Sequence, residues 1–210
     1  MKDADVVQVV LSEREHEEIL ASQILPAWIS GAVAQEQPVT VLVGGPPGSG
    51  KSTACQVLKA VLDRRGGSVL IGRDLYKTAH PAYKRLLEQD EPTAGVRVRP
   101  DVLRWQAEVE EVVCAGRFDV LVESPVVDAD QARAHRAAGR RVEVVVVVES
   151  EAVTQLSVLE RYLAQVAEDG AGRYVSWENH DQCTRRLLES LEVIEREGIA
   201  DRVMLVRRDL

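Results

Sequence analysis

Short apolar runs alternate along the chain with longer segments whose apolar positions repeat at helical spacing. Val39 to Val43 is an uncharged run of strand length, and similar runs recur at Ser68 to Ile71, Val120 to Val122, Val142 to Val148 and Val203 to Val206. Runs this uniformly apolar suit strands covered on both faces, the usual condition of a parallel sheet. Helical segments lie between them. Ser12-Glu13-Arg14-Glu15 has the capping-box pattern, and a helix should run from it through Ile19, Ile24 and Trp28, kinked or divided at Pro26. Further helices are expected up to about Arg65, from Asp101 to near Gly116, after Asp128, over Ala152 to Val166 and over Glu178 to Glu197. Arg73 to Arg99 reads as irregular, interrupted by Pro81, Pro92 and Gly95 and closed by Pro100. The alternation predicts one α/β domain over 1–210, with about five parallel strands and helices on both faces. Its opening helical segment spans about 12–33. Residues 167–180, with Gly170 and Gly172, are expected to form a mobile lid.

The first apolar run leads directly into Gly45-Pro46-Pro47-Gly48-Ser49-Gly50-Lys51-Ser52-Thr53, a complete Walker A pattern in its strand–turn–helix setting. Glycines let the backbone wrap a phosphate without Cβ clashes, and the following helix N-terminus adds favourable partial charge. Lys51 is expected to bridge the outer phosphates, and the Ser52 hydroxyl to ligate Mg²⁺. The guanine reader Asn-Lys-x-Asp is absent, since Asn179 is the only asparagine; ATP is therefore the expected nucleotide.

Asp74 follows the second strand, at the sheet edge where ligands gather in open parallel sheets. It is either a base that takes the proton of an acceptor hydroxyl or a loop aspartate that caps a turn. Glu123 ends the third strand in the manner of a Walker B acid. It either serves Mg²⁺ through water, contacts the acceptor, or forms a local cap or ion pair. Arg161 and Arg173 lie on the helix after the long valine strand and in the glycine-rich stretch behind it. From there they either bracket the transferring phosphate or remain solvated surface charges.

Composition narrows the partners. The 210 residues carry a formal net charge of -8, with 45% hydrophobic, 29% charged and only 4% aromatic residues. That is ordinary for a globular protein and argues against a polynucleotide groove or a base-stacking platform. Cys55, Cys114 and Cys183 are widely separated, which fits a reducing, cytoplasmic setting rather than a disulfide framework. The start lacks a signal-peptide pattern, and no run reaches the ~18 apolar residues of a membrane span.

With these motifs in place, the sequence resembles the zeta toxin family of toxin–antitoxin systems. The resemblance rests on the opening helix, the Gly45 to Ser52 motif, the rarer Asp74-Leu75-Tyr76-Lys77-x-x-His80-Pro81, and then Glu160-Arg161-Tyr162 and Arg173 in matching order. It implies a P-loop kinase that uses ATP and Mg²⁺ to phosphorylate the 3′-hydroxyl of UDP-N-acetylglucosamine and is held in check by a small helical antitoxin. It makes Lys51 the phosphate lysine, Asp74 the base, and Arg161 and Arg173 the γ-phosphate arginines. Lys77 and His80 fall near the acceptor, although His80 would equally brace the loop. Glu108 is the nearest match to the family's acceptor-binding acid. The chain departs from the family where Glu123-Ser124-Pro125-Val126-Val127 replaces Glu-Gly-Thr and a basic residue. That difference leaves room for another hydroxyl acceptor, such as an antibiotic or a metabolite, or for a nucleotide-binding module without transfer activity.

Overall fold

Val39–Gly44 forms β1, buried along its whole length at the centre of a five-stranded sheet. The structure, a computed structural model, describes residues 6–170, 172 and 175–207. The remaining strands are β2 (Ser68–Ile71), β3 (Asp119–Glu123), β4 (Arg141–Val148) and β5 (Arg202–Arg207). Their order is β2-β3-β1-β4-β5, and each pairing is parallel. Side chains alternate across the sheet and feed two cores. Leu42, Val120, Val122, Val144 and Val146 share one core with Trp105, Val109, Val113, Leu187 and Ile194. Val41, Val43, Leu121, Val145 and Val147 share the other with Cys55 and Leu62. Thus α3 (Lys51–Asp63) covers one face, while α7 (Arg99–Ala115), α8 (Ala129–Ala137) and α10 (Trp177–Arg196) cover the opposite one. This is the α/β sheet with helices on both faces that the sequence predicts.

The opening segment is divided, with α1 (Glu13–Ile19), a π-helical turn (Leu20–Ile24) and α2 (Leu25–Ile29). Ser12 and Glu15 complete the capping box. Pro26 lies in the first turn of α2, after the wider turn in which Leu25 N–H donates to Leu20 O. The stretch read as irregular contains three short helices, α4 (Arg73–Lys77), α5 (Tyr83–Gln89) and α6 (Glu91–Arg97). Pro92 and Pro100 begin α6 and α7 rather than ending anything. A proline costs no hydrogen bond in a first helical turn. The long helix α9 (Glu151–Asp169) precedes α10, and Ser150 and Ser176 cap the two.

A polar network fastens the amino-terminal rim of the sheet. Asp119 Oδ1 accepts the Val39 N–H at 2.7 Å, while its Oδ2 pairs with Arg65 Nε at 2.9 Å. Buried Arg140 donates to Thr40 Oγ1 at 2.6 Å and to Val39 O at 3.1 Å. The Thr40 hydroxyl also lies 3.2 Å from His135 Nδ1. Burial and the nearby Arg140 charge push the His135 pKa down to about 4. Below its ordinary value of 6.5 the unfolded chain binds a proton that the folded ring refuses. Stability is therefore expected to fall as pH drops from 6.5 towards 4, by up to about 1.4 kcal/mol per pH unit from this residue. Denaturant titrations across that window should show a shallower slope in His135→Gln.

Candidate active site

Three strands end together at the carboxyl rim. Val43 is level with Glu123, and Ile71 is level with Val122, so the chain leaves β2 one row below Glu123. The turn after β1 depends on backbone shapes that favour glycine. Gly45, Gly48 and Gly50 have φ of 157°, 83° and 94°. A Cβ on Gly48 would lie 2.1 Å from Thr154 O and 3.1 Å from Val158 Cγ2, so the turn rests directly on α9. Gly50 caps α3 without a side-chain bond, leaving the first amides of the helix directed outwards. Ser49 Oγ is buried in the turn with no hydrogen-bond partner among the described residues. Lys51 Nζ reaches back to Pro46 O at 2.9 Å. This cradle fits a polyphosphate.

Ser52 Oγ donates to Glu123 Oε1 at 2.8 Å. A hydroxyl beside one carboxylate is the donor set that Mg²⁺ uses when phosphates and water supply its other ligands. Among the described residues no group of three or more His, Cys, Asp or Glu side chains is placed to hold a metal ion, and such a site needs none. Cys55, one turn along α3, is buried, and burial with the Glu123 charge pushes its thiol up to about 12. It is therefore not a thiolate nucleophile at neutral pH.

Asp74 lies in the first turn of α4, just past the end of β2. Its half-exposed carboxylate pairs with Lys77 Nζ at 2.7 Å. The lysine lies against Gly95 of α6, where a Cβ would stand 3.0 Å from Nζ. Arg161 shares the face of α9 that carries Thr154 and Val158, so it projects from the side on which the phosphate turn rests. Arg173 lies outside the described residues. Gly172 and Val175, within the segment expected to act as a lid, are buried, and a Cβ on Gly172 would lie 2.6 Å from Tyr162 O. His180 Nε2 and Thr154 Oγ1 approach to 2.8 Å and join α10 to α9.

Two other sequence candidates face elsewhere. His80 is buried, with Nε2 3.3 Å from Asp101 Oδ2. Glu108 turns towards the opening helix, 2.8 Å from His16 Nε2 and 3.0 Å from Arg104 Nε. Two residues along α7, Glu110 turns the other way. It accepts from Gln106 at 2.8 Å and from Gln131 at 2.7 Å. Burial raises its pKa, a shift opposed by those two bonds and by the Arg73 charge at the foot of α4.

A model of the Zeta toxin family matches residues 27–210. The chain belongs to the Zeta toxin family. "Toxin zeta" of Enterococcus hirae is 25% identical over 194 residues, which cover 90% of this chain and 67% of that protein. "Toxin PezT" of Streptococcus pneumoniae is 24% identical over 185 residues, covering 85% of this chain and 72% of that one. The zeta-family chain thus spans about two thirds of the length of the curated relatives it matches. In three dimensions it superposes on a structure from the PezAT chromosomal toxin–antitoxin system of Streptococcus pneumoniae. The TM-score is 0.80 at 20% identity, covering 95% of this chain and 80% of that one. A complex of AvrRxo1-ORF1 with AvrRxo1-ORF2 and ATP follows at TM-score 0.62 and 15% identity, covering 93% and 63%. These likenesses show a shared P-loop kinase-like fold. Among the described residues no helix is long and apolar enough to cross a membrane.

Proposed function

We propose that this zeta-family chain transfers the γ-phosphate of ATP to the 3′-hydroxyl of UDP-N-acetylglucosamine or a related sugar nucleotide, and that it acts as a toxin in the cytoplasm. The observation that carries the reading is the meeting, at one rim, of the phosphate turn, the Ser52–Glu123 pair and Asp74. Lys51 and Arg161 are assigned to the negative charge of the transferring phosphoryl group, joined by Arg173 on the strength of the family resemblance. Asp74 takes the acceptor's proton as the new O–P bond forms and the bond to the departing ADP breaks. Lys77 keeps that carboxylate oriented. Ser52, backed by Glu123, would hold Mg²⁺, which neutralises charge on the phosphates. The acids assigned to the acceptor are Glu123 at the end of β3 and, on the strength of the family resemblance, Glu108 of α7. The toxin–antitoxin system in the PezAT match supports an antitoxin as a partner, which the family resemblance makes small and helical.

A second acceptor class is favoured by one feature. After Glu123 the chain packs inwards, and a Cβ on Gly44 would lie 2.5 Å from Val127 Cγ2. Pro125, exposed, and Val126, half-buried, stand where the family resemblance leads one to expect threonine and a basic group, and Val127 behind them is buried against Gly44. The test is incubation with ATP, Mg²⁺ and a panel of hydroxyl acceptors, read by mass spectrometry. A UDP-N-acetylglucosamine product one phosphate heavier is expected, together with growth arrest on expression that Lys51→Ala relieves. Phosphorylation of a different alcohol selects the second reading, and failure to bind ATP overturns both.

A further inference from the structure

A buried polar cluster stands behind the loop that carries Asp74. Asp101, in the first turn of α7, is 3% exposed and has both carboxylate oxygens engaged. Oδ2 accepts the Leu11 backbone N–H at 3.1 Å and faces His80 Nε2 at 3.3 Å, while Oδ1 faces His16 Nδ1 at 3.3 Å. Trp105, one turn further along α7, stacks on His16 with ring centroids 5.0 Å apart and meets His80 edge-on at 6.1 Å. Its indole N–H donates to His16 O at 3.1 Å.

The hydrogen bonds fix the state of His80. Its Nδ1 accepts the Ala82 N–H at 3.2 Å. A ring nitrogen that accepts carries no proton, so the proton sits on Nε2 and is donated to Asp101. His80 also closes the turns behind α4. Ala79 N–H donates to Tyr76 O, His80 N–H to Lys77 O, and Tyr83 N–H to His80 O. Helix α4 has only five residues, too few to hold its own shape. Buried Tyr76 secures its middle, and the His80–Asp101 bond secures its far end. A buried carboxylate stabilises a fold poorly beside an apolar side chain of equal volume, but it fixes directions that packing leaves loose.

We propose that Asp101 is a positioning residue for phosphate transfer, fixing through His80 the turn that presents Asp74 and Lys77. His16 and the Leu11 N–H hold the carboxylate in place from its other side. The proposal rests on the reading of Asp74 as the base.

The test compares His80→Ala, Asp101→Asn and His80→Gln with Val113→Ala, a cavity in the same helix remote from the cluster. UDP-N-acetylglucosamine serves as the acceptor. His80→Ala is expected to lower kcat about 10- to 100-fold with the KM for ATP within twofold, because a small misplacement of a catalytic group costs rate rather than nucleotide binding. His80→Gln, which returns an N–H towards Asp101, should recover much of that loss. Hydrogen exchange at the Ala79, His80 and Tyr83 amides should quicken in His80→Ala and Asp101→Asn and stay slow in Val113→Ala, a reading that needs no acceptor. Unchanged exchange at those amides overturns the proposal, as does a His80→Ala loss no greater than that of Val113→Ala. Asp74→Asn at full rate overturns the reading of the base, whereas His80→Ala at full rate beside an inactive Asp74→Asn overturns only the positioning role.

Discussion

Asp74→Asn is expected to lower phosphate transfer by about 10²- to 10⁴-fold, the usual worth of a positioned proton acceptor, while ATP affinity stays within about twofold. The substitution keeps the shape of the side chain and removes its capacity to take a proton. On the proposed reading the nucleotide lies in the turn from Gly45 to Ser52, whereas Asp74 stands in the first turn of α4. Loss of the pairing with Lys77, at 2.7 Å, will scarcely alter stability, because the carboxylate is half exposed and such pairs contribute about 0–1 kcal/mol. Single-turnover transfer measured beside an ATP titration separates the two effects. Transfer within tenfold of the parent would remove Asp74 from the chemistry.

Gly48→Ala should instead abolish nucleotide binding. Its φ of +83° is costly for any residue with a Cβ, by about 1–2 kcal/mol, and here the methyl also meets backbone. The overlap with Thr154 O at 2.1 Å cannot be relieved by a rotamer change; either the turn or the start of α9 must move. Hydrogen bonds from backbone amides to a charged phosphate contribute about 1.5–3 kcal/mol each, so displacing two of them is expected to cost at least about 100-fold in ATP affinity. Gly139→Ala is the control. Gly139 has φ of +73°, but a methyl there would meet nothing within 4 Å, so it carries the backbone strain alone. It should lose stability by about 1 kcal/mol and bind ATP normally. Isothermal titration with ATP and a denaturation curve for each variant decide the matter.

What could be read from the sequence was what is encoded locally. The phosphate turn is a contiguous motif, and the valine runs of β1 and β4 leave little choice but buried parallel strands. Ser12 announces a helix start three residues before the amide it caps, and the structure shows Ser150 and Ser176 doing the same for α9 and α10. The bonds that support Asp74 were hidden because they join distant positions. Asp101 is 85 residues from His16 and 90 from Leu11. The orientation of the α7 acids was hidden for another reason. Glu110 shares α7 with Glu108 and Glu111, and only the packing of Trp105, Val109 and Val113 reveals which acid turns towards Gln131 and which towards His16. Pro92 and Pro100 misled because a proline that interrupts one helix and a proline that opens the next look alike until the cap is seen.

The parallel sheet sends every strand in one direction, and so divides its polar residues into two populations. The groups proposed to serve nucleotide and acceptor gather where the strands finish, while Asp119, Arg140, Thr40 and His135 bind together where they begin. Durability and turnover are consequently adjustable at opposite poles of the molecule. An acid-labile version made at the starting pole would retain its chemistry, and an inert one made at the finishing pole would retain its shape and serve as bait for the proposed antitoxin.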